Sequence, residues 1–178
     1  ITVFNGTIYN FQEIKNYLKK KNIIFKTNSD TEVLANAFSY WGDKSFNFFD
    51  GMWAAAFYDF SKKTFTLSRD YLGQKPLYYS KLNKDKLIFS SQLDGLFKYN
   101  KKFEFNKNNL QLFYKFNFCP APYTLYKDIL QVSPGEIIKF GKFFKKKTYW
   151  DLKKGPNYNI FFKRDNIDSF KSKFDQLI

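Results

Sequence analysis

Residues 52–90 most constrain the fold of this chain. An apolar run over 52–60 holds three consecutive small side chains, Ala54, Ala55 and Ala56, and a polar turn over 59–63 leads into a second strand-type run at 64–68. So short a connection can only reverse the chain, because parallel neighbours need a crossover of a dozen residues or more. The runs 77–81 and 87–90 repeat the pattern around Asn83, Lys84, Asp85 and Lys86. The small residues permit close approach of a second layer. Helical patterns stand on either side of this block, so the order predicts an α+β fold rather than βαβ units.

Before the hairpins, residues 1–9 read as a strand. Asn10 followed by Glu13 has the spacing of a helix start. Phe11, Ile14 and Leu18 then share a face, with Lys15, Lys19, Lys20 and Lys21 off that face or in the last turn. Residues 23–25 suggest a short strand. Ser29, Asp30, Thr31 and Glu32 read as a capping box opening a helix that turns Val33, Leu34, Ala37, Phe38 and Trp41 toward a core. After the hairpins come a short helix over 92–99, a surface loop over 100–109 and a helix over 110–116, broken by Cys119, Pro120, Ala121 and Pro122. Ser133, Pro134 and Gly135 turn into a strand at 136–140, and Gly141 turns into 143–150. Residues 153–157 read as a linker, and 167–177 as the start of a helix.

At 178 residues, 44% hydrophobic and 22% aromatic, the chain can bury a proper core. No apolar run reaches the ~20 residues of a bilayer span, and no signal peptide is legible. The net charge is +14, but all basic residues except Arg69 and Arg164 are lysines, scattered among Asn, Phe and Ile. Phosphate and base recognition favours the arginine fork, so no nucleic-acid partner is expected. Histidine is absent and there is one cysteine. These counts exclude Ser-His-Asp and Cys-His sites, and no metal site is expected. Any general base must be a carboxylate, a lysine or an α-amino group.

Asn5-Gly6 admits two readings. Flanked by apolar residues, it is a strong hairpin-turn signal. At the end of a β run it also offers a side-chain amide and an unobstructed backbone N–H, two donors able to hold one oxyanion. Three further blocks accompany it: Asn28 to Val33, Phe49 to Phe57, and Arg69-Asp70-Tyr71-Leu72-Gly73-Gln74-Lys75-Pro76-Leu77-Tyr78-Tyr79. In order and spacing these four blocks resemble the glutamine-hydrolysing domain of glutamine-dependent asparagine synthetases, class II amidotransferases with an N-terminal nucleophile.

The resemblance implies an Ntn-hydrolase-type four-layer αββα sandwich of antiparallel sheets. It implies an oxyanion hole formed by Asn5 and Gly6, and glutamine binding by Asn5, Gly6, Thr7 and Asp30, with Asp30 taking the α-amino group. Thr7 departs from the usual glutamate of the motif, and Gln92 departs from a second one. The long block from Arg69 reads as mainly structural, with Arg69 and Lys75 alternatively facing a synthetase half. The family's nucleophile is an N-terminal cysteine whose α-amine is the base. Ile1 cannot play that part, and Cys119, with no histidine and before a Pro-Ala-Pro break, is rejected.

The chain is therefore expected to be truncated at both ends, with an amidotransferase domain over 1–150 and, over 151–178, a linker and first helix leading to an ATP-dependent domain. No cofactor is expected in this segment; ATP and Mg belong to the synthetase domain. Implied partners are glutamine, that C-terminal domain and a possible second copy, with no nucleic acid and no membrane, in the cytoplasm. Two alternatives stand beside this: an amidotransferase acting on another carboxylate such as a sugar acid, and a catalytically dead basic binding module.

Overall fold

A computed structural model describes residues 1–99 and 102–151. Strand β1 (Thr2–Ile8) leads into helix α1 (Phe11–Lys19), then α2 (Asp30–Trp41) and a 3-10 turn (Gly42–Asn47). The hairpin of β2 (Gly51–Asp59) and β3 (Thr64–Arg69) follows, then that of β4 (Tyr78–Lys81) and β5 (Leu87–Ser90). Helices α3 (Leu93–Tyr99) and α4 (Lys107–Phe116) precede β6 (Leu130–Gln131), β7 (Glu136–Phe140) and β8 (Phe144–Thr148). The strands form two antiparallel sheets, β1-β2-β3-β7-β8 and β5-β4-β6.

Strand periodicity divides β2 between two cores. Ala55 and Phe57 face a first core with α1 and α2, where Ile8, Leu18, Leu34 and Phe46 are fully buried. Ala54 and Ala56 face a second core between the sheets, with Leu67, Leu77, Tyr79 and Ile138. Successive side chains of a strand point to opposite faces, which produces this split. Methyl groups at 54 and 56 leave room for the ring of Tyr79. Helix α3 lies against β4 and β5 and buries Leu96. The layers thus run helix, sheet, sheet, helix. Each fully buried aliphatic side chain contributes roughly 1.5–3 kcal/mol over its exposed state.

Several local expectations need correction. Residues 23–25 form no strand, since no neighbour offers them a ladder, and Ile24 is exposed. Asn10 begins α1 without capping it; its side chain donates to Phe48 O at 2.8 Å and accepts from Asp50 N at 3.0 Å, tying two loops together. Ser29 does cap α2, accepting from Thr31 N at 3.1 Å. Glu32 does not close the reciprocal box; its carboxylate reaches past Ser29 to Lys26 N at 2.8 Å and Thr27 N at 2.7 Å. Helix α4 starts at Lys107, because the Asn106 side chain accepts from Asn108 N at 3.1 Å. Lys15 does not lie off the buried face but is sealed under the chain that precedes α2. The linker over 153–157 and the helix over 167–177 fall outside the described residues.

Candidate functional site

Asn5 and Gly6 are not a turn. They sit inside β1, opposite Ala54 and Trp53. The ladder also fixes where each backbone group points. Ile1 and Tyr58 exchange bonds of 3.0 and 2.8 Å, and Tyr9 N donates to Asp50 O at 2.7 Å. The register between these ends has no bulge. Alternation along an antiparallel ladder therefore turns the odd-numbered N–H groups of β1 toward β2 and the even-numbered ones toward the sheet's free edge. Ile8 confirms the parity, because its N–H leaves the sheet to donate to Asp30 Oδ2 at 3.1 Å. Gly6 N–H points off the same edge, two residues and about 7 Å earlier.

Glycine at position 6 is required by the backbone. Its φ is +155°, and an added Cβ would stand 2.1 Å from Met52 O. Gly51, across the same ladder, has φ +153° and the same crowding against Thr7 O at 2.2 Å. Asn5 pairs directly with Ala54, so their side chains share a face. That face belongs to the inter-sheet core, yet the smaller second sheet does not reach over β1. Val3, Asn5 and Thr7 are exposed there.

Asp30 is the first residue of α2 and partly buried. Beyond Ile8 N, its other oxygen has a 3.5 Å contact with the Thr31 hydroxyl, so accepting capacity remains. The ladder thus ties Asp30 to β1 at Ile8, two residues from the free-edge N–H of Gly6, while the side chains of Asn5 and Thr7 lie on the strand's exposed inter-sheet face. A free-edge N–H and a carboxylate at a helix N-terminus stand two residues apart along β1, an arrangement able to hold an oxyanion and a cation a short distance apart.

The chain around Asp30 is itself anchored. Glu32 also accepts from the Thr27 hydroxyl at 2.6 Å, and these bonds, led by that from Lys26 N, hold its carboxyl below the usual glutamate value. From α1, Lys15 Nζ donates to Thr27 O and Asn28 Oδ1, both at 2.7 Å, and stands 5.4 Å from the Phe25 ring centre. Sequence reasoning missed Lys15. The available signal was its place one turn after Phe11, next to Ile14, on the flank of the buried stripe.

The 69–75 loop lies at the same end, two strands behind. Asp70 is fully buried and accepts from four backbone N–H groups, those of Trp53, Leu72, Gln74 and Lys75, at 2.9–3.1 Å. Arg69 donates to the carbonyls of Lys75, Gly73 and Val132 at 2.7, 2.7 and 2.9 Å, and to Gln131 Oε1 at 3.3 Å. Burial lowers the affinity of its guanidinium for the proton. The mainly structural reading of this block therefore holds for Arg69 and Asp70. Cys119 is no part of the site; its thiol makes a 4.0 Å contact with Asn109 O, and burial pushes its pKa up.

A family model, the glutamine amidotransferase domain, matches residues 1–150. This chain belongs to that family. A Methanocaldococcus jannaschii protein that carries an asparagine synthetase (glutamine-hydrolysing) name by assignment is 35% identical over 96% of this chain and 33% of its own length. Asparagine synthetase (glutamine-hydrolysing) 1 of Bacillus subtilis is 35% identical over 75% of this chain and 21% of its own. The chain thus spans a third or less of these relatives. Among solved structures, the glutamine phosphoribosylpyrophosphate amidotransferase of B. subtilis aligns over 84% of this chain and 29% of its own, at TM-score 0.59 and 20% identity. That likeness is one of fold, in which two antiparallel sheets are flanked by helices. Among the described residues no helix is long and apolar enough to cross a membrane.

Proposed function

We propose that this domain is the ammonia-supplying half of an asparagine synthetase, in which glutamine is hydrolysed here and the ammonia amidates aspartate at an ATP-dependent domain. One observation carries the reading. The free-edge N–H of Gly6 lies two residues, and Asn5 three, from the backbone group that binds Asp30. Glutamine has an ammonium at one end and an amide at the other, and the spacing suits it.

In this proposal Asp30 pairs with the α-ammonium, and Thr7 offers a hydroxyl where the family's motif has a carboxylate. A thiolate adds to the side-chain carbonyl carbon, and the oxygen that gains charge accepts from Asn5 and Gly6. The C–N bond then breaks, its nitrogen takes a proton and ammonia leaves. Water hydrolyses the thioester to give glutamate. The resemblance assigns the thiolate to a mature N-terminal cysteine, with its α-amine, which titrates near ~8, as the base. Among the described residues no thiol lies at the site, so this segment alone is expected to release no ammonia. The names of the relatives favour aspartate as acceptor over a sugar acid.

The test compares two activities of the full-length protein. Asn5→Ala is expected to lower glutamine-dependent amidation by about 10²-fold, as loss of one oxyanion donor does, and to leave ammonia-dependent amidation intact. Equal loss of both would show that Asn5 supports the fold rather than the oxyanion. Steady ammonia release from the isolated 178-residue chain would refute the inactivity of the segment.

A further inference from the structure

We propose that Lys15 is a positioning residue for glutamine: it fixes the 26–29 segment so that Asp30 meets the substrate ammonium at the right place. The inference rests on the reading of Asp30 as the ammonium-binding acid.

The starting point is a charge in an unexpected place. Lys15 is 3% exposed. Its hydrogen-bond partners are neutral, Thr27 O and Asn28 Oδ1; the face of the Phe25 ring lies beside it, and the Glu32 carboxylate acts on it only through space. Enclosing an ammonium without a carboxylate bonded to it costs free energy that a methionine of similar length would not. Stability alone therefore gives a poor account of a lysine here. Geometry gives a better one. Residues 26–29 have no regular structure and no strand partner. They are held from one side by Glu32 of α2, through Lys26 N and Thr27 N, and from the other by Lys15 of α1. The next residue is Asp30, tied to β1 through Ile8 N.

Lys15 is thus the link that references the segment before the acid to α1, while Ile8 references the acid to the strand bearing Asn5 and Gly6. Three elements fix one carboxylate. An apolar side chain could fill the space but could not hold the Thr27 carbonyl. The segment would then keep only its bonds to α2, the helix that itself begins with Asp30, and would shift with it. Displacements of about 1 Å in a substrate-holding group can reduce function up to 10²-fold.

The experiment uses the full-length protein, with glutamine-dependent and ammonia-dependent amidation measured beside thermal unfolding. Lys15→Met is expected to raise the KM for glutamine about tenfold with kcat within about twofold, the pattern of lost substrate binding. Ammonia-dependent activity should stay unchanged. Lys15→Arg, which keeps a donor, should restore KM to within about threefold. Asn28→Ala removes one acceptor at an exposed position and should raise KM about threefold; it decides the matter if Lys15→Met does not fold. Unchanged KM in both Lys15→Met and Asn28→Ala, with Asp30→Ala raising it, would overturn the role of Lys15 and leave the site reading standing. Unchanged KM in Asp30→Ala would instead remove the reading on which this inference rests.

Discussion

Two aspartates stand at the same end of the larger sheet and do opposite things. Asp70 is fully buried, and four backbone N–H groups spend its accepting capacity. Asp30 is partly buried and takes one backbone N–H, from Ile8, with a second oxygen largely free. Asp70 belongs to the longest run of recognisable sequence in the chain, Asp30 to a short one. A saturated carboxylate cannot also bind a ligand without orphaning the groups it serves. Its contribution is rigidity: bonded to Trp53, it stiffens the strand against which Gly6 is paired. The length of a motif therefore says little about where chemistry occurs. Unspent hydrogen-bonding capacity says more.

The contrast can be broken most forcefully at Asp70. Asp70→Ala leaves the buried N–H of Trp53 and the part-buried N–H groups of Leu72, Gln74 and Lys75 without their acceptor and should destabilise the domain by about 3–4 kcal/mol, read by chemical denaturation. A loss under about 1 kcal/mol would make the two aspartates equivalent. Gly6→Ala comes next. Its Cβ would meet Met52 O at 2.1 Å, a backbone atom that cannot swing aside. A loss of about 2–3 kcal/mol is expected, together with about 10²-fold lower glutamine-dependent activity, so this position should fail on both counts. Asp30→Ala should separate them: stability falls by about 1 kcal/mol or less, while the KM for glutamine rises about 10–10²-fold, as for a lost bond to a charged group.

The smallest expected effect concerns pH. Hydrogen bonds from Lys26 N and then the Thr27 hydroxyl lower the pKa of Glu32 in the folded state. A depressed folded value means that the bonds stabilise the 26–29 segment above the ordinary glutamate range, and that this is lost as pH falls through the lower folded value. An NMR titration of the Lys26 and Thr27 amides should therefore show its midpoint below 4.5, the ordinary glutamate value. A midpoint at or above it would mean that Glu32 does not hold the segment.

Much of the architecture was legible because its signals are local. The β2–β3 hairpin follows from a short polar connection between apolar runs. Helix positions were legible too, and so was the Ser29 cap, while other end contacts were not. Asn10 has the composition of a cap, but Phe48 O and Asp50 N, distant in sequence, take its side chain. Lys15 looked like a solvated lysine because a helical stripe shows which residues flank a core, not which distant carbonyls need a donor.

The sequence by itself determined two antiparallel hairpins between helices, a site without histidine, and a glycine beside an asparagine in a strand setting. Tertiary structure decided the rest: that Asn5-Gly6 is mid-strand and not a turn, that the Gly6 N–H faces a free edge, and that Asp30 is fastened two residues away. The reason lies in range. Periodicity and turn chemistry act over a few residues, whereas the pointing of an N–H depends on ladder parity set by β2, and the place of an acid on a helix start docked more than twenty residues along the chain.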